Sequence, residues 1–521
     1  MEYRNKGKQQ KKKRDHLFLS RVIILGFLIA LQAAFIILGI MELGGYFVYV
    51  QELCTLLSMI VVVLIIDRPD NPAYKLAWVV PILLFPIFGG VFYLVIAGNR
   101  STKHFVKSIG KNITDSYRFL PEQQDAVQAL QKQSETAALQ SRYIQRYGRY
   151  PLYQHTEMTY YPVGDDNFEP FLDALRKAKR YIFMEYFIIQ EGVFWNSVLA
   201  VLEEKVKEGV DVRLVFDDMG CVATIPSGYE RVLQAKGIKC HSFNRFIPIL
   251  TLRLNNRDHR KITVIDGYIG FTGGVNLADE YINVTSPFGH WKDTAVMLKG
   301  EAVWSLTVMF LQIWNYVSGE TEDYDQYLPE PGLLAGIGND GFVQPYSDSP
   351  LDQESVGENI YLNMINRAKN SIYIMTPYLI LDNEMVTALC LAAKSGIDVR
   401  IIIPGIPDKK VVYTLTKTNC EPLIGAGIRI FQYTLGFVHA KGILVDGELA
   451  TVGTVNFDYR SLYLHFECGV WLYRSGIIRD IQRDFEETFV RCREMTIEDC
   501  HNISWLQKIW RAVLKMVAPI L

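Results

Sequence analysis

The chain has 521 residues, too many for one ordinary domain, and a prior of about 150 residues per domain predicts about three units. Its 54 lysines and arginines against 56 aspartates and glutamates leave a formal net charge of −2, so it lacks the basic excess of a nucleic-acid-binding protein and no nucleic acid is expected as a partner. The eight cysteines are scattered without a Cys-x-x-Cys pair, which excludes a small disulfide scaffold and favours free thiols in a reducing compartment.

The first hundred residues are predicted to anchor the chain in a membrane. A basic segment, residues 6–14, precedes an apolar run from 22 to 41 that is long enough to cross a bilayer. A cleaved secretory signal is the competing interpretation, but the run is longer than a usual signal core and no convincing cleavage site follows it. Two more apolar stretches cover about 46–66 and 76–97, the second interrupted by prolines and glycines that suit a kinked or re-entrant segment. We therefore expect a multi-pass protein of the cell membrane.

The positive charges at the two ends of this region predict its orientation, but they do not agree with three full crossings. The basic tail favours the cytoplasm, and so do Arg100, Lys103 and Lys107 after the third stretch. Three full crossings cannot satisfy both, so one of the later stretches is expected not to cross completely. The catalytic region would then be cytoplasmic, while the number of crossings stays open.

The rest of the chain is an internal repeat. From about residue 165, apolar β-branched runs alternate with amphipathic helical stretches, which predicts an α/β fold. The segment at 171–189 resembles that at 361–380, and GVDVRLVF (209–216) resembles GIDVRIII (396–403). A period this long predicts two similar α/β lobes packed with pseudo-two-fold symmetry. The expected division is a membrane region at 1–100, a polar helical linker at 101–156, a first lobe at 157–335 and a second lobe with a C-terminal amphipathic helix at 336–521.

The repeat carries a doubled chemical signature. DHRKITVIDGYIGFTGGVN (258–276) and VHAKGILVDGELATVGTVN (438–456) both contain His-x-Lys-x4-Asp followed by a glycine and an asparagine. Each residue of the second set lies 180 positions after its counterpart. The candidate site residues are His259, Lys261, Asp266 and Asn276 in the first lobe, and His439, Lys441, Asp446 and Asn456 in the second.

The residue types in this signature suit phosphodiester chemistry. Side chains two apart on an extended segment share a face, so each half offers an imidazole and an ammonium together. An imidazole can attack phosphorus or deliver a proton, while an ammonium neutralises the phosphate oxygens. Asn276 and Asn456 are expected to bind substrate through further hydrogen bonds to the same oxygens. Two symmetric halves then form one site, in which one histidine attacks and the other protonates the leaving alcohol.

Each imidazole also needs an acceptor on its second nitrogen, which predicts one carboxylate per lobe. Asp293 and Glu467 open equivalent apolar strands and are the expected orienting carboxylates. Asp266 and Asp446 are counted with the catalytic residues as part of the signature. Their position five residues after the lysines nevertheless puts them on the opposite face, where they are expected to fix the following turn.

With these motifs the chain resembles the phospholipase D superfamily and, within it, the bacterial cardiolipin synthases. The segments at 65–100, 273–281 and 453–467 and the ending WRAVLKMVAPIL are similar to sequences of that family, so the resemblance covers nearly the whole chain. It implies a phosphohistidine on His259, with His439 as acid and then base, and neither metal nor cofactor. Its implied partners are phosphatidylglycerol and membrane lipids, one phosphatidylglycerol giving its phosphatidyl group to another with release of glycerol. The apolar run at 22–41 is additional to the family's usual pattern.

Several alternatives remain open at this stage. Another phospholipase D-type phosphatidyltransferase, a phospholipid hydrolase and a catalytically silent membrane scaffold share the same sequence features. The C-terminal helix, with apolar residues at helical spacing from Trp505 to Val517, suits a membrane interface and a protein core equally well. The sequence leaves the oligomeric state undetermined.

Overall fold

The computed structural model describes residues 46–69, 71–85, 100–245, 255–501 and 504–520, together with residues 34, 37, 41, 89, 90 and 93. The α-helices of these residues are Tyr46–Ile66, Pro72–Leu84, Arg100–Ser116, Gln124–Gln133, Glu135–Tyr143, Gly164–Arg176, Val193–Lys207, Asp218–Cys221, Tyr229–Ala235, Val303–Ser318, Pro331–Leu334, Val356–Ile365, Asn383–Lys394, Lys410–Gly425, Tyr459–Tyr463, Ile478–Val490, Glu498–His501 and Trp505–Val517.

The strands of the first half are β1 (Thr156–Tyr161), β2 (Tyr181–Tyr186), β3 (Asp211–Asp217), β4 (Lys239–Phe243), β5 (Arg257–Asp258), β6 (Ile262–Ile265), β7 (Ile269–Gly273), β8 (His290–Lys292) and β9 (Ala295–Gly300). Those of the second half are β10 (Phe342–Asp348), β11 (Ser371–Met375), β12 (Leu379–Ile380), β13 (Asp398–Pro404), β14 (Arg429–Tyr433), β15 (Gly436–Val438), β16 (Gly442–Val445), β17 (Leu449–Gly453), β18 (Phe457–Asp458), β19 (His465–Tyr473) and β20 (Cys492–Glu494).

The second predicted apolar stretch forms the helix Tyr46–Ile66. Within the described ranges, Val48–Ile66 is the one helix long and apolar enough to cross a membrane, with a mean hydropathy of 2.2. The described part of the third stretch is the helix Pro72–Leu84, whose 13 residues reach about 20 Å against the roughly 30 Å of a hydrocarbon core. The run at 22–41 lies almost entirely outside the described residues. The number of crossings therefore stays a prediction.

The first lobe is built on a seven-stranded sheet in the order β1-β9-β7-β6-β2-β3-β4. β2, β3 and β4 run parallel, and the remaining neighbours are antiparallel. All six residues of β2 are buried, as its unbroken apolar sequence predicts for a strand covered on both faces. The helix Val303–Ser318 packs on this sheet and is buried over most of its length.

The second lobe repeats this topology. Its main sheet runs β10-β19-β17-β16-β11-β13-β14, which matches the first sheet strand for strand, and β20 extends it at the edge. The parallel pairs β11–β13 and β13–β14 correspond to β2–β3 and β3–β4. The predicted fold of two similar α/β lobes is confirmed.

The lobes are joined by a reciprocal exchange of short strands. β5 of the first lobe pairs in parallel with the start of β19 in the second. β15 of the second lobe pairs in parallel with β8 of the first. Because β5 and β15 each lead directly into a His-x-Lys motif, this exchange brings both motifs to the boundary between the lobes.

The segment at 101–156, expected to be a polar helical linker, includes the helices Arg100–Ser116, Gln124–Gln133 and Glu135–Tyr143, which pack against the lobes. Its amphipathic helices bury Phe105, Ile109 and Leu130 in the same core that contains the second sheet. Trp471 of β19 donates a hydrogen bond from Nε1 to Oε1 of Gln140 at 3.3 Å. The apolar face of each helix is therefore covered by the lobes. The exact division of the chain into domains stays a prediction.

Candidate active site

The two His-x-Lys motifs lie in equivalent extended segments, one between β5 and β6 and the other between β15 and β16. His259 and His439 are each 7% exposed, and the two lysines are buried more deeply. The Lys261 ammonium donates to the backbone oxygen of His259 at 2.6 Å, and the Lys441 ammonium donates to that of His439. Each ammonium thus lies beside its own imidazole, as the two-residue spacing predicts.

The predicted orienting carboxylates contact the histidines across the lobe boundary. Glu467 of the second lobe has both carboxylate oxygens 3.0 Å from Nδ1 of His259 in the first. Asp293 of the first lobe has Oδ2 2.5 Å from Nδ1 of His439 in the second. A carboxylate can only accept, so each Nδ1 carries the proton. Nε2 of His259 then keeps its lone pair for substrate, whereas Nε2 of His439 lies 3.0 Å from the Lys441 ammonium, which can donate to it. Neither imidazole is held in this way by its own lobe.

Backbone hydrogen bonds fix the same reciprocal arrangement. The His259 amide donates to the carbonyl oxygen of Phe466 at 2.9 Å, and the His439 amide donates to that of Lys292 at 2.7 Å. Phe466 and Lys292 are the residues that directly precede the two carboxylates. Each histidine is therefore attached to the other lobe through both its main chain and its ring.

The electrostatics of the site favour neutral imidazoles. Burial, followed by the charges of Lys261 and Lys441, holds the pKa of both histidines well below the usual range. Burial also lowers the pKa of Lys261 to about 8 and that of Lys441 to about 7, and it raises the pKa of Asp293 to about 6. Because each lysine acts on both histidines, the two motifs share one buried electrostatic environment.

The two asparagines of the signature make hydrogen bonds within the protein. Nδ2 of Asn276 donates to the Tyr281 hydroxyl at 2.7 Å, and its Oδ1 accepts from the Ile188 amide at 3.0 Å. Nδ2 of Asn456 donates to Oγ of Ser461 at 3.0 Å. Each side-chain amide has a second N–H, so a contact with substrate remains a prediction.

Asp266 and Asp446 bind backbone amides, and their place among the catalytic residues stays a prediction. Asp266 accepts hydrogen bonds of 2.7 to 2.9 Å from three consecutive backbone amides, 179 to 181, and Asp446 accepts the same three from 369 to 371. Both have positive φ, 51° and 53°. They fix the turn after β6 or β16 onto the start of β2 or β11, as their offset from the lysines predicts.

Aromatic rings surround the imidazoles, and the sequence did not single these residues out. Phe187 lies edge-on to His259 with ring centroids 5.0 Å apart. Trp291 and Tyr281 lie 5.3 and 5.4 Å from the ring of His439. The position of Trp291 two residues before Asp293 was the available sequence signal. These rings exclude water and leave the imidazoles weakly solvated.

A buried ionic cluster lies behind the first motif. Nε of Arg260 is 2.7 Å from Glu185 and 3.1 Å from Asp258. The sequence signal was Glu185, a charge inside an otherwise apolar strand that requires a partner. The pairing places Glu185 in support of the motif segment and not in the substrate pocket.

One group within the described ranges has the spacing of a metal site. The ligand atoms of His259, His465 and Glu467 lie within 4.8 Å of one another. The adjacent ammonium groups of Lys261 and Lys441 repel a dication, so the charge of the surroundings does not fit one. Burial lowers the pKa of His465 to about 4, which leaves its imidazole neutral beside Glu467.

Comparisons with known proteins identify the family. The family model described as "Cardiolipin synthase, PLD-like domain" matches residues 171–314 and 361–489, and "Phospholipase D-nuclease N-terminal" matches 56–98. A cardiolipin synthase of Alkalihalophilus pseudofirmus is 33% identical over 506 residues, covering 96% of this chain and 100% of the relative. An uncharacterized protein of Streptococcus mutans is 44% identical over 449 residues, covering 86% of this chain and 96% of the relative.

A solved structure supports the same fold. The phosphatidylserine synthase of Haemophilus influenzae aligns over 73% of this chain and 100% of its own with a TM-score of 0.54, at 14% identity. Two lobes that repeat one topology, the doubled signature and relatives matched over almost their full length agree with one another. The chain therefore belongs to the cardiolipin synthase family of phospholipase D-like enzymes.

Proposed function

We propose that the protein makes cardiolipin by transferring a phosphatidyl group from one phosphatidylglycerol to another, with release of glycerol. The observation that carries the proposal is the reciprocal pairing of His259 with Glu467 and His439 with Asp293. That pairing leaves two neutral imidazoles in one buried environment, with Nε2 of His259 available for attack and Nε2 of His439 beside the Lys441 ammonium. The relatives named cardiolipin synthase, matched over nearly the whole chain, support the choice of lipid.

The first step is attack on phosphorus by one imidazole. Nε2 of His259 forms a bond to the phosphorus of phosphatidylglycerol while the bond to the glycerol oxygen breaks. His439 takes up a proton from solvent when the anionic phosphodiester binds beside it. It gives this Nε2 proton to the glycerol oxygen, and glycerol leaves. Glu467 stabilises the positive charge that develops on His259. The product of this step is a phosphatidyl group covalently attached to His259.

In the second step His439 acts as a base. Its neutral imidazole takes the proton from a glycerol hydroxyl of a second phosphatidylglycerol, whose oxygen attacks the phosphorus. The bond to His259 then breaks, which yields cardiolipin and the free imidazole. One phosphodiester is exchanged for another, so no cofactor or energy source is required. Lys261 and Lys441 neutralise the phosphate oxygens in both steps, and the second amide N–H groups of Asn276 and Asn456 donate to them.

Transfer competes with hydrolysis, since water would also accept the phosphatidyl group. The aromatic rings around the histidines reduce the access of water and favour the lipid alcohol. A hydrolase would produce phosphatidic acid from the same intermediate. The ratio of the two products therefore separates the proposal from its closest alternative.

The test is incubation of the purified full chain with phosphatidylglycerol radiolabelled on phosphorus. Cardiolipin with equimolar glycerol, and an acid-labile, alkali-stable label on the protein, are the expected results. His259→Ala should abolish both, whereas the exposed His155→Ala should leave both unchanged. Phosphatidic acid as the only product would refute transfer, and full activity of His259→Ala would refute the phosphohistidine.

We also propose that the catalytic lobes face the cytoplasm and that the chain crosses the membrane more than once. The basic tail and the positive charges after the third apolar stretch support this topology. A reporter fused at residue 110 should be active in the cytoplasm, and a periplasm-only signal would overturn the assignment. Nucleic acid is not proposed as a substrate, and efficient DNA cleavage by the pure protein would contradict that.

A further inference from the structure

The C-terminal helix Trp505–Val517 has a large apolar face that no described residue covers. Trp505, Leu506, Ile509, Trp510 and Val513 are 68%, 61%, 55%, 53% and 43% exposed. Their spacing places them along one side of the helix over about two turns. Two tryptophans and three aliphatic residues side by side form an exposed patch of the kind that marks an interaction surface.

The opposite face of the helix is attached to the second lobe. Leu514 is buried in a small cluster with Ile380 and Leu415. The buried Arg511 donates to the backbone oxygen of Cys500 at 3.1 Å. A capping box at Ser504 fixes the first turn of the helix. The helix is therefore folded and docked, and its apolar face is directed outward by the packing of the other side.

The charged residues of the helix identify the partner. Lys508 and Lys515 are exposed and lie two turns apart on the side of the helix between its apolar face and its docked face. The helix Trp505–Val517 contains no acidic residue. An apolar face with tryptophans and a flanking row of lysines matches the boundary between the acyl chains and the headgroups of an anionic bilayer. A protein partner would have to supply both an apolar groove and negative charge.

The exposed face is continuous with the membrane region. The C-terminal helix contacts the helix Pro72–Leu84, which follows the candidate span Val48–Ile66 by a few residues. Leu76, Leu83 and Leu84 of that helix are also 53% to 65% exposed. Asn71, at its start, donates a hydrogen bond to the Tyr463 hydroxyl of the second lobe at 2.9 Å. The two apolar surfaces are therefore held together on one side of the molecule.

The helix also lies close to the candidate active site. Ile380, its buried contact, belongs to β12, and β12 pairs with β18. β18 begins at the residue after Asn456. Only one short strand separates the docked helix from the loop that carries the second asparagine of the site.

We propose that the C-terminal helix lies flat in the headgroup region of an anionic bilayer and holds the second lobe, with its active-site loop, against the lipid surface. The occupant of the apolar face is the lipid itself, and not a second copy of the chain. Trp505 and Trp510 insert to the depth of the headgroup and acyl boundary while the two lysines contact lipid phosphates. The helix does not cross the membrane, because its 13 residues are too few and its other face is bound to the lobe.

The test measures quenching of tryptophan fluorescence by brominated lipid. The full-length protein carries His259→Ala, so that it does not convert phosphatidylglycerol and the lipid composition stays constant. It is reconstituted into vesicles of phosphatidylglycerol and phosphatidylcholine. The fluorescence contributed by Trp505 and Trp510 is obtained as the difference from a Trp505→Phe/Trp510→Phe variant. Bromine near the headgroup should quench this contribution more strongly than bromine near the chain ends. Trp304, a core residue that is 9% exposed, is the control. Its contribution to the fluorescence, obtained as the difference from a Trp304→Phe variant, should not be quenched.

Any other result overturns the proposal. An unquenched difference signal means that protein covers the face, and crosslinks between introduced cysteines at 509 would identify a second copy as the occupant. Equal quenching at both depths means that the helix does not lie at the interface. If the phenylalanine variant does not fold, Lys508→Glu/Lys515→Glu provides the same test, with quenching expected to fall in the anionic vesicles and to stay unchanged in pure phosphatidylcholine. None of these readouts requires catalysis, so a failure of the proposed reaction is seen separately.

Discussion

Replacing Glu467 by glutamine removes the negative charge from the His259 pair while keeping the shape of the side chain. Glu467 is fully buried, and both its oxygens lie 3.0 Å from Nδ1 of the histidine. A hydrogen bond to a charged group contributes about 1.5–3 kcal/mol, which corresponds to a rate loss of about 10- to 150-fold. If the amide turns its NH₂ toward Nδ1 and selects the wrong tautomer, the loss approaches about 10⁴-fold. We expect the loss in kcat, with KM little changed.

A matched substitution on the other lobe separates the roles of the two histidines. Asp293→Asn weakens His439, which donates a proton to the leaving alcohol in the first step. A phosphatidyl ester of p-nitrophenol needs no such proton, because p-nitrophenolate leaves as an anion. The first-turnover burst of p-nitrophenolate should keep nearly its normal rate in Asp293→Asn and should be slow in Glu467→Gln.

Rapid-quench measurement of the burst, together with steady-state formation of cardiolipin, checks this assignment. Glu448→Gln is the control, since Glu448 is a half-exposed residue paired with Arg474 on the surface. Steady-state activity of Glu467→Gln within about threefold of the unmodified protein would show that the cross-lobe carboxylate does not orient a catalytic imidazole. A burst slowed in Asp293→Asn and normal in Glu467→Gln would reverse the roles of the two histidines.

Three further predictions concern the charged residues of the two signatures. The rate should persist as the pH falls from 7 to about 6, because the lowered pKa of His259 keeps it neutral, and it should decline below about 6, where Asp293 takes up a proton and no longer accepts from His439. It should also decline as the pH rises through about 7 and Lys441 loses its proton. In a pH–rate profile, Lys441→Arg should move the alkaline limb upward, and an unmoved limb would show that Lys441 does not cause it. Asp446→Ala should lower the free energy of unfolding by about 1–2 kcal/mol, because three backbone amides lose their acceptor and two of them are exposed enough to bond to water; a denaturant midpoint equal to that of the unmodified protein would refute this role. Arg260→Met should destabilise the protein by about 3–5 kcal/mol because two buried carboxylates lose their partner, and adding Glu185→Leu should recover part of the loss in the same measurement.

The sequence by itself determined the repeat and the residue types of the site. Two copies of His-x-Lys-x4-Asp in one register predict two lobes, and the matching order of the two sheets confirms them. Local spacing was also sufficient to predict that Asp266 and Asp446 bind the backbone at a turn. An offset of five residues from the lysine fixes the face of a short strand, and both carboxylates bind the backbone turn that this face meets.

Only the tertiary structure decided which carboxylate orients which imidazole. The sequence supplies one carboxylate per lobe, but Glu467 contacts His259 and Asp293 contacts His439 because β5 and β15 each pair with a strand of the opposite lobe. Pairing between strands 208 and 146 residues apart leaves no periodic signal along the chain, since it depends on how two finished sheets pack. The same limit applies to the C-terminal helix, whose spacing suits a core and a membrane interface equally well. Only the packing of one face against the lobe shows that the face with the tryptophans is the exposed one.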